Sequence, residues 1–459
     1  MILLLGGCTL APKYTRPKAP IPPDWPTGAA YGDRTAASAT PRGVLDDWRV
    51  FFSSEQMRKV IALALANNRD LRVAALNIER AQGIYRVQRA ALFPQIDAGA
   101  GGLKERLPPV STMTPQALTV TEYNVNLGIS AWEIDFFGRL RSLKASALEQ
   151  YLATEEARRS IQIALVAEVA DAYLILASDQ ESLRLAHLTL DSQQASYDLI
   201  RGRFEAGISS ELDLRQAQTP LETARVDIAR YTALVAQDVN ALNLLAGVPV
   251  PVELLPNELA AVGVLKDITP DLPSEALTRR PDILQSEHQL KALNANIGAA
   301  RAAFFPRIAL TTAIGTASST LSGLFDSGKN GAWNFGAQAT VPIFDAGTNL
   351  ANLKVANADR DIALTQYEKA IQTAFREVAD ALAEQKPVND QMKAQESLVD
   401  ATAASHRLAT ARYTREVDSY LNVLDAERSL YTAQQGLISV RLARLVNMVR
   451  LYVALGGGA

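Results

Sequence analysis

Cys8 is the one thiol in 459 residues, and His187, His288 and His406 are the three imidazoles. A single cysteine can form no disulfide within the chain and no thiolate metal cluster. The histidines are far apart and none stands in a ligand spacing such as HExxH, so they read as ordinary helix-surface or interface residues. An enzyme would need a nucleophile–base pair, a metal cluster or a phosphate-binding glycine loop. None is found, and Gly456-Gly457-Gly458 reads as a tail. No catalytic chemistry, cofactor or metal is therefore expected. The net charge of −3, with no basic block, gives no reason to expect a nucleic-acid partner.

The residues around Cys8 point instead to acylation. The run Met1 to Gly7 is short and apolar, and Leu5-Gly6-Gly7-Cys8 resembles a bacterial lipobox, in which small residues precede a cysteine that receives a diacylglycerol. The alternative is a buried apolar start with an incidental cysteine. Residues 1–8 are taken as a lipoprotein signal remnant, with the signal starting upstream of Met1. Residues 9–50 follow as an extended strap: Pro17, Pro20, Pro22, Pro23 and Pro26 exclude a regular helix. No apolar run reaches the ~18–20 residues of a membrane-spanning helix, so any crossing must be a closed barrel.

The elements that follow come twice. Arg89-Ala90-Ala91-Leu92-Phe93-Pro94 returns as Arg301-Ala302-Ala303-Phe304-Phe305-Pro306, 212 residues later. Glu168-Val169-Ala170-Asp171-Ala172 returns as Glu377-Val378-Ala379-Asp380-Ala381, Arg203-Phe204 as Arg412-Tyr413, and Gly247 as Gly456, each 209 residues later. Matching order over such distances indicates a two-fold internal repeat. The first repeat is placed at 51–247, a Pro-, Val- and Leu-rich linker at 248–273, and the second repeat at 274–459. Ser274 suits a short helix N-cap and Pro281 the first turn of the next helix.

Within each repeat a helix ends at Phe-Pro, because the residue before proline is pushed to extended geometry. Strands are expected within about 94–137 and about 306–345. Trp333, Phe335, Ala337, Ala339, Val341 and Ile343 alternate with Asn334, Gly336, Gln338, Thr340 and Pro342, a period of two with one apolar face. Ile308, Leu310, Thr312 and Ile314 repeat that face, as do Val125, Leu127 and Ile129 against Asn124, Asn126 and Gly128. Four strands of about ten residues suit a tilted transmembrane sheet, but four cannot close a barrel and an open edge in lipid is prohibitively costly. Three chains would supply twelve. The alternative is a small soluble sheet with one wet face.

Long helices are expected over about 138–246 and about 347–455. Gly138 to Phe204 contains no proline and as one helix would run roughly 100 Å. Val169, Leu176, Leu183, Leu190, Tyr197 and Phe204 step by heptads, the mark of coiled-coil packing. Ser210 to Ala246 is the return helix, with Thr348 to Tyr413 and Leu421 to Leu455 in the second half. Pro387 and Pro220 predict breaks in α-helices that contain them. The fold class is mainly α with a small transmembrane β part.

At this point the chain resembles the TolC-like outer membrane factors, lipoprotein branch, over essentially its whole length from Cys8. The resemblance is carried by Leu272-Pro273-Ser274-Glu275 with Arg279-Arg280-Pro281-Asp282-Ile283, by Arg301 to Pro306, and by Arg412-Tyr413, Val417-Asp418-Ser419-Tyr420-Leu421 and Leu424-Asp425-Ala426. It implies a homotrimer: a twelve-stranded β-barrel in the outer membrane of a Gram-negative bacterium, continuous with a long α-helical coiled-coil barrel in the periplasm. It implies partners too, a periplasmic membrane-fusion adaptor and an inner-membrane RND-type transporter, hence a tripartite efflux exit duct of the multidrug-resistance kind.

The resemblance also implies a gate. Leu421 and Asp425 match the constriction that closes the periplasmic end, with Asp418 close by, and Arg412 and Tyr413 match contacts that hold the inner helix pair to its neighbours. Arg203, Phe204 and Gly207 form the first tip turn. Three aspartates on a three-fold axis would attract cations, and three leucines would form a dry constriction. On periodicity alone, Asp418 and Asp425 fit a solvated helix face equally. Gly207 suits a tight turn, but its counterpart is Glu416, which leaves the second tip turn open. Two rival functions remain: a type I protein secretion duct, and a coiled-coil scaffold or adhesin that transports nothing. The lipobox and the repeat favour small-molecule efflux over secretion, and a scaffold has no need of strands with an apolar outward face.

Overall fold

The computed structural model describes residues 9–31, 47–112, 116–262, 274–326 and 329–457. Cys8 with its apolar run, and Leu272-Pro273, lie outside the described residues. The elements run α1 (Trp48–Phe51), α2 (Glu55–Asn67), α3 (Arg69–Ala90), β1 (Ile96–Leu107), α4 (Pro109–Thr112), β2 (Leu118–Ile134), α5 (Arg139–Glu205), α6 (Glu211–Ala246), α7 (Pro281–Ala302), β3 (Arg307–Ser318), β4 (Gly331–Thr340), α8 (Thr348–Tyr413) and α9 (Tyr420–Ala454), with short 3-10 turns between α6 and α7. They form two compact units. One takes residues up to Lys18, Asn77–Glu155 and Gln285–Tyr367, and the other takes Ala19–Leu76, Glu156–Leu284 and the chain from Glu368.

The first unit carries a four-stranded antiparallel sheet in the order β1-β2-β3-β4. Its register brings the apolar columns to one face. Ala98 pairs with Leu127, Leu127 with Ile314 and Ile314 with Trp333. Directly opposed residues point to the same side. The other face collects Asn124, Asn126, Gly128, Asn334, Gly336 and Gln338. The apolar face is open: Trp333 is 79% exposed, Ile314 68% and Phe335 65%. β2 is longer than the sequence suggests, because its Leu118–Ile129 stretch pairs with β1 and its Tyr123–Ile134 stretch with β3, the latter across a bulge between Ile129 and Trp132. Ala131 lies in that bulge with φ 55, and its N–H donates to Thr311 Oγ1 at 3.3 Å. The outer edges of β1 and β4 have no strand partner among the described residues.

Over residues 9–31 the strap forms no helix, as its prolines require, and from Thr9 to Arg16 it is pinned to the helices of this unit. Its expected end at residue 50 is cut short by α1, which is helical from Trp48. Arg301 donates to the Leu10 carbonyl at 3.2 Å and Asn294 to that of Pro12 at 2.8 Å. Gly298 lets the strap lie close, since a Cβ there would stand 2.7 Å from Ala11 N. The firmest point is Glu287, whose side chain is 4% exposed. It accepts from Tyr14 Oη at 3.1 Å, Arg16 Nε at 3.0 Å and Lys291 Nζ at 3.0 Å. Burial alone would raise the Glu287 pKa. The hydrogen bonds and charges of Arg16 and Lys291 outweigh it and hold the carboxyl below its ordinary value.

The core of the second unit is built on α5. Val169, Leu176, Tyr173 and Leu174 are buried there, and Phe51 stacks on Tyr452 at 4.2 Å. The heptad is deeply buried at Val169 and Leu176 but loses cover along the helix, and Phe204 is 38% exposed. Contrary to the expectation that no run reaches spanning length, an 18-residue window of α5 is apolar enough to cross a bilayer by composition, and 44% of it is buried. The expected breaks at Pro220 and Pro387 do not occur. Both prolines lie inside continuous helices. A proline removes one hydrogen bond at a cost of roughly 3 kcal/mol. Flanking burial of Ala217, Leu221 and Ala224, and of Ala381, Leu382 and Val388, offsets that cost and keeps each helix whole.

Candidate functional site: the helical hairpin tips

The gate candidates all fall in the second unit, at the turns that close two helical hairpins. The first turn joins α5 to α6. Gly207 N–H donates to Phe204 O at 2.9 Å and Ile208 N–H to Arg203 O at 2.8 Å. With Gly207 at φ 74 this is a Schellman stop. Ser210 and Asp213 then form a complete capping box at the start of α6.

The second turn, from α8 to α9, has the same hydrogen bonds: Glu416 N–H to Tyr413 O at 2.9 Å and Val417 N–H to Arg412 O at 3.0 Å. The open question about Glu416 is thereby answered. It takes the left-handed conformation that glycine takes in the first turn, with φ 60. A glutamate pays about 1–2 kcal/mol for that conformation. Ser419, at the N-cap of α9, makes no side-chain capping bond.

Side chains hold this second turn instead. Arg412 Nε donates to Asp418 Oδ2 at 2.5 Å and Arg412 Nη2 to Asp418 Oδ1 at 3.1 Å. Their mutual hydrogen bond holds the Asp418 carboxyl below its ordinary pKa and raises that of Arg412. Within the chain, then, Arg412 ties its own turn, and Tyr413 reaches the other hairpin. Arg203 Nη1 donates to Tyr413 Oη at 3.1 Å, with its guanidinium carbon 5.6 Å from the ring centroid. Tyr413 leans on Tyr420 at 5.3 Å. Behind them Ile200, Ala217, Tyr420, Val423 and Leu424 form a small buried cluster.

The two faces of α9 separate the remaining candidates. Tyr420, Val423, Leu424 and Glu427 face inward, whereas Leu421 is 46% exposed and the Asp425 side chain is 67% exposed, 3.8 Å from Arg428. Leu421, Asp425 and Arg428 share one open helical face at i, i+4 and i+7. One contact escaped the sequence reading. Glu427, its side chain 8% exposed, accepts from Gln193 of α5 at 3.0 Å and faces His406 of α8 at 3.4 Å. His406 is thus an interface residue that bridges to a buried carboxylate. Burial, and then the charge of Glu427, pushes the Tyr420 hydroxyl up to about 12. The glutamate's place on the inward face of α9 was the available signal. Elsewhere His288 meets Glu149 at 2.6 Å, and His187 is exposed. No group of three metal-ligating side chains occurs among the described residues. The site is made of side-chain ties and a bare helical face.

Residues 60–248 and 272–457 match the family described as outer membrane efflux protein. The chain belongs to that family. It is 48% identical to the solvent efflux pump outer membrane protein SrpC of Pseudomonas putida, over 100% of this chain and 97% of that protein. It is 43% identical to the outer membrane protein OprJ of Pseudomonas aeruginosa, over 99% and 94%. Among solved structures it is similar to the open state of the MtrE outer membrane channel of Neisseria gonorrhoeae, with a TM-score of 0.88, 36% identity and 98% of each chain covered. This efflux-family chain is an outer-membrane exit duct of an efflux system in a Gram-negative bacterium.

Proposed function

We propose that the chain is one third of a closed conduit: a homotrimer whose sheets join into a twelve-stranded barrel, continuous with a barrel of long helices built by a two-fold repeat. The observation that carries this is the four-stranded sheet with one open apolar face and two edges that are unpaired among the described residues. Lipid solvates the apolar face, but nothing in lipid solvates free N–H and C=O groups, so the β4 edge of one copy must pair with the β1 edge of the next. The strap then leads toward a lipid on Cys8, which supplements the barrel's own hold on the membrane.

In this reading the second hairpin tip is the periplasmic gate. Leu421 and Asp425, on the bare face of α9, form the constriction on the three-fold axis. Asp418 adds less charge than its type suggests, because Arg412 already pairs with it, and Asp425 is offset in part by Arg428 at 3.8 Å. The tie from Arg203 to Tyr413 holds the gate-bearing hairpin to its neighbour. A periplasmic adaptor and an inner-membrane transporter deliver small molecules, and the duct conducts them passively; being efflux pump proteins, the Pseudomonas relatives support that placing. Chemical cross-linking of the detergent-solubilised protein tests the assembly. A trimer band is expected, and cross-linking that stops at monomers or dimers overturns the reading.

A further inference from the structure

We propose that the groove between the strap, α7 and α8 is a binding site for the phosphate of an anionic phospholipid headgroup, an inference that rests on the membrane placement above. The cavity measures about 390 Å³ and lies wholly within the first unit. Lys13, Arg301 and Arg360 line it, and no carboxylate does. No carboxylate stands within ion-pair distance of Lys13 or Arg301 among the described residues. Arg301 spends one nitrogen on the Leu10 carbonyl at 3.2 Å, which fixes its side chain and leaves further donors free. Arg360 has Asp361 at 3.2 Å from Nε, yet that buried nitrogen makes no hydrogen bond. The nearby Glu287 cannot neutralise the groove, since Arg16, Lys291 and Tyr14 already claim it.

Three cations from three elements line the groove, and one buried guanidinium nitrogen among them has an ion pair but no hydrogen bond. That arrangement fits an anion with several oxygens, and guanidinium groups match phosphate through paired hydrogen bonds. The location selects a lipid as its source. Arg301 is the penultimate residue of α7, and β3 of the membrane-facing sheet begins at Arg307. Between them Phe304 and Phe305 are 42% and 43% exposed, as aromatic residues are at a bilayer surface. Basic pockets at that level bind lipid headgroups. The strap forms one wall of the groove, so a bound headgroup would also pin the segment that leads from Cys8.

Native mass spectrometry of the detergent-solubilised full chain, with phosphatidylglycerol added, tests this. Wild type is expected to retain one additional phosphatidylglycerol per chain relative to Arg301→Gln/Arg360→Gln. Each lost charge-assisted hydrogen bond should weaken that binding about tenfold. Lys354→Gln, an exposed cation of α8 outside the groove, should retain lipid as wild type does. Should the double variant misfold, Lys13→Gln on the strap gives the same reading without altering a helix. Equal retention by wild type and the groove variants overturns the site. Displacement by glycerophosphoglycerol at the same concentration as the lipid overturns the lipid source. Loss of the trimer with groove binding intact would count against the assembly proposal alone.

Discussion

Between Arg203 and Asp213 the first hairpin is closed by backbone chemistry: a glycine in the left-handed conformation and a complete capping box. Between Arg412 and Asn422 the second hairpin repeats the same turn with glutamate in the glycine position and no side-chain cap on α9. What it lacks locally it recovers from side chains, Arg412 on Asp418 within the turn and Tyr413 on Arg203 across to the first hairpin. The first tip relies chiefly on its own backbone and cap, although Arg203 is one end of the cross-hairpin tie. A tip stabilised by contacts with a neighbour is released when those contacts are broken. On the proposed reading the second tip is the moving part, and it carries Leu421 and Asp425.

Three changes break or sharpen that difference. Removing the cross-hairpin tie should have the largest effect. Arg203→Ser with Tyr413→Phe deletes a hydrogen bond to a charged group, worth about 1.5–3 kcal/mol. Amide exchange over residues 412–422 should then accelerate about tenfold or more, while residues 203–213 stay protected. Comparable acceleration at both tips would remove the asymmetry. Next come the caps. Ser210→Ala should cost about 1 kcal/mol, read as lost protection in the first turn of α6, whereas Ser419→Ala should cost almost nothing. Equal losses would mean that α9 is capped after all. Smallest is the turn residue itself. Glu416→Gly should stabilise the second tip by about 0.5–1 kcal/mol and Gly207→Ala should weaken the first by a similar amount, as measured by the same exchange protection.

The strands were legible because a period of two is a local property, and the observed register lines up the columns that Leu127, Ile314 and Trp333 announce. The long helices were legible from the heptad through Val169 and Leu176. Pro220 and Pro387 misled, because a local rule priced one hydrogen bond and could not see the buried neighbours that outweigh it. Resemblance could name Arg412 and Tyr413, but not divide their labour. Arg412 turns back to a residue six positions on, and Tyr413 reaches Arg203, which lies 210 positions away. The clamp on Glu287 was invisible for the same reason. Its partners Tyr14 and Arg16 are more than 270 positions distant, and no pattern around Glu287 marks it as buried.

Single-channel conductance in a planar bilayer tests the gate most directly. The wild-type duct should conduct little and prefer cations. Leu421→Ala with Asp425→Ala, which shortens the bare face of α9 and removes its carboxylates, should conduct more and lose the cation preference. Arg203→Ser with Tyr413→Phe should also conduct more, but keep that preference because the aspartates remain. If both variants conduct as the wild type does, with its selectivity, the constriction lies elsewhere and the second hairpin tip is not the gate.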